Sequence, residues 1–254
     1  MSDTSEKTDG KPGKLFCFGL GYTGLALAKA LIADGWQVAG TSRTAESASF
    51  LTEQGIEAFV FDRTRPLADA GSALKGVTHL LSSVPPDETG DPVLDCHADD
   101  LEALAQNTAW AGYLSTTVVY GNRDGGWVDE SSARTPGVAR GQRRVDAEDR
   151  WIALGQASNI PVHLFRLAGI YGPGRSAFDQ IRAGREKRVE RPGQVFSRIH
   201  VEDIVAVLRA SMQQPRAGAA YNLCDDNAAA PADVTAFACE LMGVPVPPAV
   251  QYED

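Results

Sequence analysis

The chain has 254 residues, 43% of them hydrophobic, and a formal net charge of −9. This length suits one large core, or one domain with an appended lobe, and the apolar content is that of a globular protein rather than a disordered one. The acidic balance argues against a nucleic-acid backbone as the main partner, and no apolar run approaches the ~20 residues that a membrane span needs.

Residues 1–14 are polar, contain glycine and proline and lack an apolar signal core, so they read as a flexible tail and a cytoplasmic location is expected. From residue 15 strands and helices alternate. A short apolar run, 15–19, is the first strand. A helix follows over 25–33, with Leu25, Ala28, Leu31 and Ile32 at helical spacing, stopped by Asp34-Gly35. Residues 36–41 form the second strand, 45–54 a helix closed by Gly55, and 56–61 the third strand, ending at Asp62. The fourth strand, 78–84, is stopped by Pro85-Pro86. After it come a helix over 93–108, a β-branched fifth strand over 112–119 and a polar loop over 121–136. A helix over 138–154 and a sixth strand over 162–167 complete the series, and the Ala-rich stretch 226–232 reads as a loop. The alternation predicts an α/β fold, a doubly wound parallel sheet of Rossmann type. Cys17, Cys96, Cys224 and Cys239 form no close pair, so no metal site is expected, and Cys17 reads as a small buried hydrophobe.

The first strand runs into Gly19-Leu20-Gly21-Tyr22-Thr23-Gly24 and then a helix, the context that gives a GxGxxG spacing its meaning. Gly19 serves the tight turn, Gly21 the close approach of a pyrophosphate and Gly24 the packing of helix on strand. The helix N-terminus, with Tyr22 and Thr23, offers free N–H groups to the phosphates. The second strand ends in Gly40-Thr41-Ser42-Arg43, with no carboxylate before Glu46. Ser42 and Arg43 suit a 2′-phosphate, which predicts NADP over NAD; the competing reading of Arg43 is a solvent-facing loop residue. Asp62 is placed to touch the adenine, and a turn or cap role is as good a reading. Ser82 and Ser83, closing the fourth strand, complete the expected cofactor contacts.

Several further motifs follow in order. They are Ser115-Thr116-Thr117-Val118-Val119-Tyr120-Gly121, then Arg166-Leu167-Ala168-Gly169-Ile170-Tyr171-Gly172-Pro173-Gly174, then Arg198-Ile199-His200-Val201-Glu202-Asp203, and last Tyr221-Asn222-Leu223. With the glycine turn, they make the chain resemble the short-chain dehydrogenase/reductase superfamily, in its extended branch of epimerases and dehydratases. After the tail over 1–14, the resemblance implies a dinucleotide-binding core over 15–171 and a small substrate lobe over 172–254, interleaved with the last strands of the core. The family's lobe runs further, which leaves a reduced or a truncated lobe as open expectations. The resemblance also implies a homodimer through the helices over 93–108 and 138–154.

The family's chemistry uses a Ser/Thr at the end of strand five, a Tyr on the next helix and a Lys four residues later. Thr116 matches the first by its place four residues before Tyr120. The other two are missing: no tyrosine lies between Tyr120 and Tyr171, and no lysine between Lys75 and Lys187. Arg140 stands near the Tyr position and Arg144 near the Lys position. Arginine stays protonated and only donates, so it stabilises an oxyanion but is a poor proton shuttle. Arg140 and Arg144, four apart, share a helix face. If that face meets the nicotinamide, both guanidinium groups point at an anionic substrate; otherwise the face is solvated. His200 reads as a structural link and His163 as a packed strand residue. Two functions remain open. One is an NAD(P)-dependent oxidoreductase or epimerase acting on a small anionic carbonyl or hydroxyl compound through Thr116, Arg140 and Arg144. The other is a non-catalytic NADP-binding sensor.

Overall fold

Strand β1 (Lys14–Phe18) lies at the middle of a parallel sheet, and four of its five residues are buried. A strand covered on both faces needs a continuous apolar run rather than an alternating one, which Leu15-Phe16-Cys17-Phe18 supplies. The molecule is described by a computed structural model covering residues 12–185 and 187–251. Most of the expected tail therefore lies outside the described residues, and Lys14, assigned to that tail, opens β1 instead.

The core alternates as expected through α1 (Tyr22–Ala33), β2 (Gln37–Ser42), α2 (Ala45–Glu53), β3 (Glu57–Val60), the short α3 (Ala70–Ala73), β4 (His79–Ser82), α4 (Pro92–Ala103), β5 (Trp110–Thr116), α5 (Ala139–Ser158) and β6 (Val162–Leu167). Beyond it lie β7 (Gly169–Tyr171), α6 (Ala177–Arg182), β8 (Arg188–Glu190), β9 (Arg198–His200), α7 (Val201–Gln213), β10 (Ala220–Leu223), α8 (Pro231–Met242) and β11 (Ala249–Gln251). The seven-stranded sheet runs β10-β6-β5-β4-β1-β2-β3 with every neighbouring pair parallel. Strand order reverses between β1 and β4, which places the crevice for a ligand at the carboxyl ends of those two strands.

Two apolar layers hold helices to the sheet. On one face Leu15 and Cys17 pack with Leu27, Ala28 and Leu31 of α1 and with Ile204, Leu208 and Met212 of α7. On the other, Phe16 and Phe18 pack with Val93, Leu94 and Leu101 of α4 and Trp151 and Leu154 of α5. Burying each Leu, Ile, Val, Phe or Met side chain contributes about 1.5–3 kcal/mol, so the layers dominate the stability of the core.

Some expected boundaries move, for local reasons. The fifth strand, read over 112–119, begins earlier and stops at Thr116, because the Thr116 hydroxyl accepts a hydrogen bond from Val118 N and turns Thr117–Tyr120 into a 3₁₀ turn. Three β-branched residues there are overruled by one side chain-to-backbone bond. The helix read over 93–108 ends at Ala103 and tightens into the 3₁₀ turn Ala105–Asn107. The loop read over 226–232 ends at Ala230, where Pro231 takes the first helical position of α8. Of residues 172–254, α7 packs on α1 and β10 joins the sheet beside β6, while α6, β8, α8 and β11 pack with one another as a separate lobe.

Candidate dinucleotide crevice and catalytic strand

Each glycine of the turn between β1 and α1 has its own reason to be glycine. Gly19 sits at φ +84°, and a Cβ there would stand 3.1 Å from both Ser83 Oγ and Val84 Cγ2. A Cβ on Gly24 would meet Cys17 Sγ at 3.0 Å and Gly19 O at 3.1 Å, so its absence lets α1 press on β1. At Gly21 an added Cβ would meet nothing within 4 Å. Neither packing nor a strained φ demands glycine there, and what it leaves is an exposed stretch of backbone. Thr41, at the end of β2, pins the turn: its Oγ1 accepts from Gly19 N at 2.9 Å and its carbonyl from Leu20 N at 2.8 Å. Gly21 is the N-cap of α1, with no side-chain cap and no acidic residue in the first turn. The positive end of the helix dipole and its unpaired N–H groups thus face the crevice uncompensated. Thr23 is buried beneath it, and Tyr22 Oη donates to Pro173 O at 3.0 Å.

Around the crevice, Ser42 Oγ donates to Thr44 O at 2.9 Å, and Arg43 is exposed, its carbonyl receiving Arg65 Nη2 at 2.8 Å. Arg65 also binds Asp62, whose carboxylate takes Thr64 N and Oγ1 as well. The Thr64 hydroxyl above all, with Arg65, holds the Asp62 pKa down at about 2. Asp62 is therefore engaged in closing the turn after β3. At the end of β4, Ser83 Oγ donates to Gly19 O, whereas Ser82 Oγ is buried with no hydrogen-bond partner among the described residues. Ser83 thus ties the end of β4 to the glycine turn, and the Ser82 hydroxyl ends the same strand unpartnered among the described residues.

The catalytic candidates lie at the end of β5 and the start of α5. Thr116 Oγ1 accepts from Val118 N at 3.3 Å, which leaves its hydrogen free to donate. The two arginines part company. Arg140 is exposed in the first turn of α5. Arg144 turns inward, its Nη1 donating to Tyr113 Oη at 3.0 Å and to Leu114 O at 2.9 Å. The two guanidinium groups therefore have different surroundings: a carbonyl and a phenol on β5 take Arg144 Nη1, while Arg140 stays at the surface. Arg144 does have a tyrosine beside it, supplied by β5 rather than by the helix. Tyr113 has no exposed surface, and burial pushes its pKa up despite the arginine, so it is not placed to exchange protons with a substrate. Arg143, between the two, carries a buried Nε without a partner among the described residues.

Behind the strand lies a polar cluster that composition and spacing did not single out. Fully buried Glu148 of α5 accepts from Ser115 Oγ at 2.5 Å, Arg166 Nη2 at 2.8 Å and Arg134 Nη1 at 3.1 Å. Arg166 Nη1 reaches Tyr120 Oη at 2.7 Å, and that hydroxyl donates to Asn222 Oδ1 at 2.7 Å. The motifs around Ser115, Arg166 and Asn222 thus meet in one network. Elsewhere the side chains have structural partners. His200 Nδ1 caps α7 by accepting from Glu202 N, and buried His163 accepts from Arg216 N at 2.7 Å. The Cys17 thiol is pushed up to about 12 by burial. Among the described residues no cluster could hold a metal ion and no helix is long and apolar enough to cross a membrane. Cavities of about 400 Å³ against β3 and about 290 Å³ in the lobe lie away from the glycine turn.

The parallel order, the glycine turn and the Ser115–Gly121 strand end define the class: the fold is that of the extended short-chain dehydrogenase/reductases, the NAD-dependent epimerases and dehydratases. UDP-glucuronic acid 4-epimerase from Bacillus cereus, solved with UDP-glucuronic acid and NAD, superposes with a TM-score of 0.77 at 17% identity, covering 94% of this chain and 86% of that one. dTDP-glucose 4,6-dehydratase from Bacillus anthracis, solved with NAD, gives 0.77 at 15% identity over 95% and 85%. Within that fold, the chain belongs to the same family as a functionally unknown conserved protein from Silicibacter pomeroyi DSS, which is 50% identical, with a TM-score of 0.86 over 94% of this chain and 82% of that one. Protein YeeZ of Escherichia coli K12 is 29% identical over 222 residues, 83% of this chain and 77% of YeeZ. No family model matches the chain.

Proposed function

We propose that the chain binds a nicotinamide dinucleotide in the crevice between β1 and β4 and uses it to reduce, oxidise or epimerise a small anionic compound bearing a carbonyl or hydroxyl. The observation that carries this reading is the open backbone of Gly21 at an uncompensated helix N-terminus. The N–H groups of the first turn of α1 hold the diphosphate. The bound nicotinamide supplies the hydride donor or acceptor. Thr116 donates its free hydrogen to the reacting oxygen, and Arg140 neutralises charge on the substrate. Arg144 acts through β5, fixing Tyr113 and Leu114 and with them the strand that carries Thr116. No group at the family's Tyr and Lys positions carries a proton away, so the proton passes to water or to the substrate itself.

The cofactor in this proposal is NADP. Arg43 is exposed at the end of β2 with no carboxylate beside it in sequence, and an arginine there receives a 2′-phosphate. The epimerase and the dehydratase named above were solved with NAD, so the discriminating experiment uses both. NADPH and NADH are titrated into the purified protein and nicotinamide fluorescence is followed. Tighter binding of NADPH is expected, with the preference lost in Arg43→Ala. Equal affinity removes NADP from the proposal, and binding of neither removes the enzyme with it.

A second reading, a non-catalytic dinucleotide sensor, is favoured by one observation: Arg144 is already occupied by Tyr113 and Leu114. Exchange of the nicotinamide C4 hydrogen with any carbonyl or hydroxyl compound decides for the enzyme.

A further inference from the structure

Four residues beyond β6, the chain folds back over the glycine turn. Residues 172–175 close a tight turn, Gly172 N donating to Arg175 O at 3.3 Å and Arg175 N to Gly172 O at 3.0 Å. Gly172 has φ +154°, and a Cβ there would stand 2.6 Å from Tyr22 Oη and 2.8 Å from Val201 Cγ1, so this position is glycine because the turn must pass close against Tyr22. Tyr22 Oη grips the turn by donating to Pro173 O at 3.0 Å. The Arg175 guanidinium carbon lies 5.6 Å from the centre of the Tyr22 ring. Tyr22 is the first residue of α1, so the stacked guanidinium stands at the positive end of that helix.

This placement is electrostatically unfavourable as it stands. The helix end carries about half a positive charge. The first turn of α1 has no acidic residue, and Arg175 forms no ion pair among the described residues. The guanidinium, although exposed, rests against the ring of Tyr22, so two like charges lie near the same helix end. An anion between them would relieve both.

We infer that Arg175 is a diphosphate-binding residue, carried on a strap that Tyr22 ties across the glycine turn. It would complete from the opposite side the cradle made by the N-terminus of α1. The inference rests on the dinucleotide reading and extends it, since no glycine-turn motif includes a residue so far downstream. The diphosphate is either the cofactor's own or that of a nucleoside diphosphate substrate.

The test compares the full chain with Arg175→Gln and Arg175→Lys by calorimetry at low salt. The probes are ADP-ribose, which carries the cofactor's diphosphate without nicotinamide, and UDP added to protein saturated with NADH or NADPH. Arg175 is exposed, so unchanged melting temperatures verify the variants' folding. A charge-assisted contact predicts about tenfold weaker ADP-ribose binding in Arg175→Gln, with Arg175→Lys between it and wild type. If ADP-ribose is unaffected and UDP binding weakens instead, the anion is the substrate's and Arg175 keeps its role. Unchanged binding of both probes, in protein that binds ADP-ribose, overturns the inference and leaves the dinucleotide reading standing. Wild type that binds neither ADP-ribose nor a dinucleotide overturns both.

Discussion

Glu148, with no exposed surface, is clasped by Arg166, whose Nη2 lies 2.8 Å from Oε2 and whose Nε reaches both carboxylate oxygens at 3.2 and 3.3 Å. The pair joins α5 to β6 directly behind the strand that carries Thr116. A buried pair adds little over an apolar replacement, but breaking it leaves a charge stranded. Glu148→Ala is therefore expected to cost about 3–5 kcal/mol in urea unfolding, because it orphans Arg166, Ser115 and part of Arg134 together. Glu148→Ala combined with Arg166→Met should recover a substantial part of that loss. If the double variant is no more stable than the single one, the cost belongs to the cavity and not to the charge.

Arg140 and Arg144 are expected to separate in mutation as they separate in space. Arg144→Gln removes donors from Tyr113 Oη and Leu114 O and should lower stability by about 1–3 kcal/mol. Arg140→Gln touches an exposed side chain and should leave stability within about 0.5 kcal/mol of wild type. Thermal unfolding measures both. Once a substrate is in hand, KM rising in Arg140→Gln with dinucleotide affinity unchanged would place Arg140 at the substrate. Loss of dinucleotide affinity in that variant would contradict the assignment.

The core of the fold could be read from the chain because each βαβ unit announces itself locally, by an apolar run, a glycine or proline stop and a helical repeat. The glycine turn was legible for the same reason, as all its parts lie within Leu15 to Ala33. What stayed hidden depends on residues far apart in sequence. Tyr22 and Pro173 are 151 positions apart, and Ser115, Glu148 and Arg166 come from three elements, so no window of sequence shows that they meet. The end of β5 was misread because β-branched residues favour strand, while the bond from Val118 N to Thr116 Oγ1 is a local competitor that composition does not weigh. The placement of Arg144 depends on Tyr113, which lies on β5, upstream of the helix where the family carries its tyrosine.

His79 makes a statement about pH. It sits on β4 among Trp36, Trp110 and Thr78, and burial lowers its pKa from 6.5 to about 4. In the unfolded chain it takes up a proton near its ordinary value, whereas in the fold it resists until much lower pH. Its neutral form thus contributes stability that is fully present above pH 6.5 and is lost as pH falls through about 4. Buried His163 is shifted in the same direction and deepens the effect. Between pH 7 and 4 the loss attributable to His79 is at most about 3 kcal/mol. Urea midpoints for wild type and His79→Gln, taken across that range, should converge toward the acid end. Parallel curves would show that His79 does not carry the dependence.

The three glycines of the turn offer the sharpest division between folding and binding, because a methyl group meets three different surroundings. In Gly24→Ala the new Cβ stands 3.0 Å from Cys17 Sγ and 3.1 Å from the Gly19 carbonyl, so α1 must lift from β1 and stability should fall by about 1–3 kcal/mol. In Gly19→Ala the residue is forced to φ +84°, at a cost of about 1–2 kcal/mol on top of the contact with Ser83. Gly21→Ala adds a methyl group to open space at φ −83°, a conformation that alanine accepts. Its melting temperature should match wild type, while its dinucleotide affinity should fall at least tenfold, since the methyl occupies the path by which a diphosphate approaches the N–H groups of α1. Only a binding role separates the two readouts in this way. If Gly21→Ala binds NADPH as wild type does, the open backbone is a feature of the turn alone and the cradle is not where the cofactor rests.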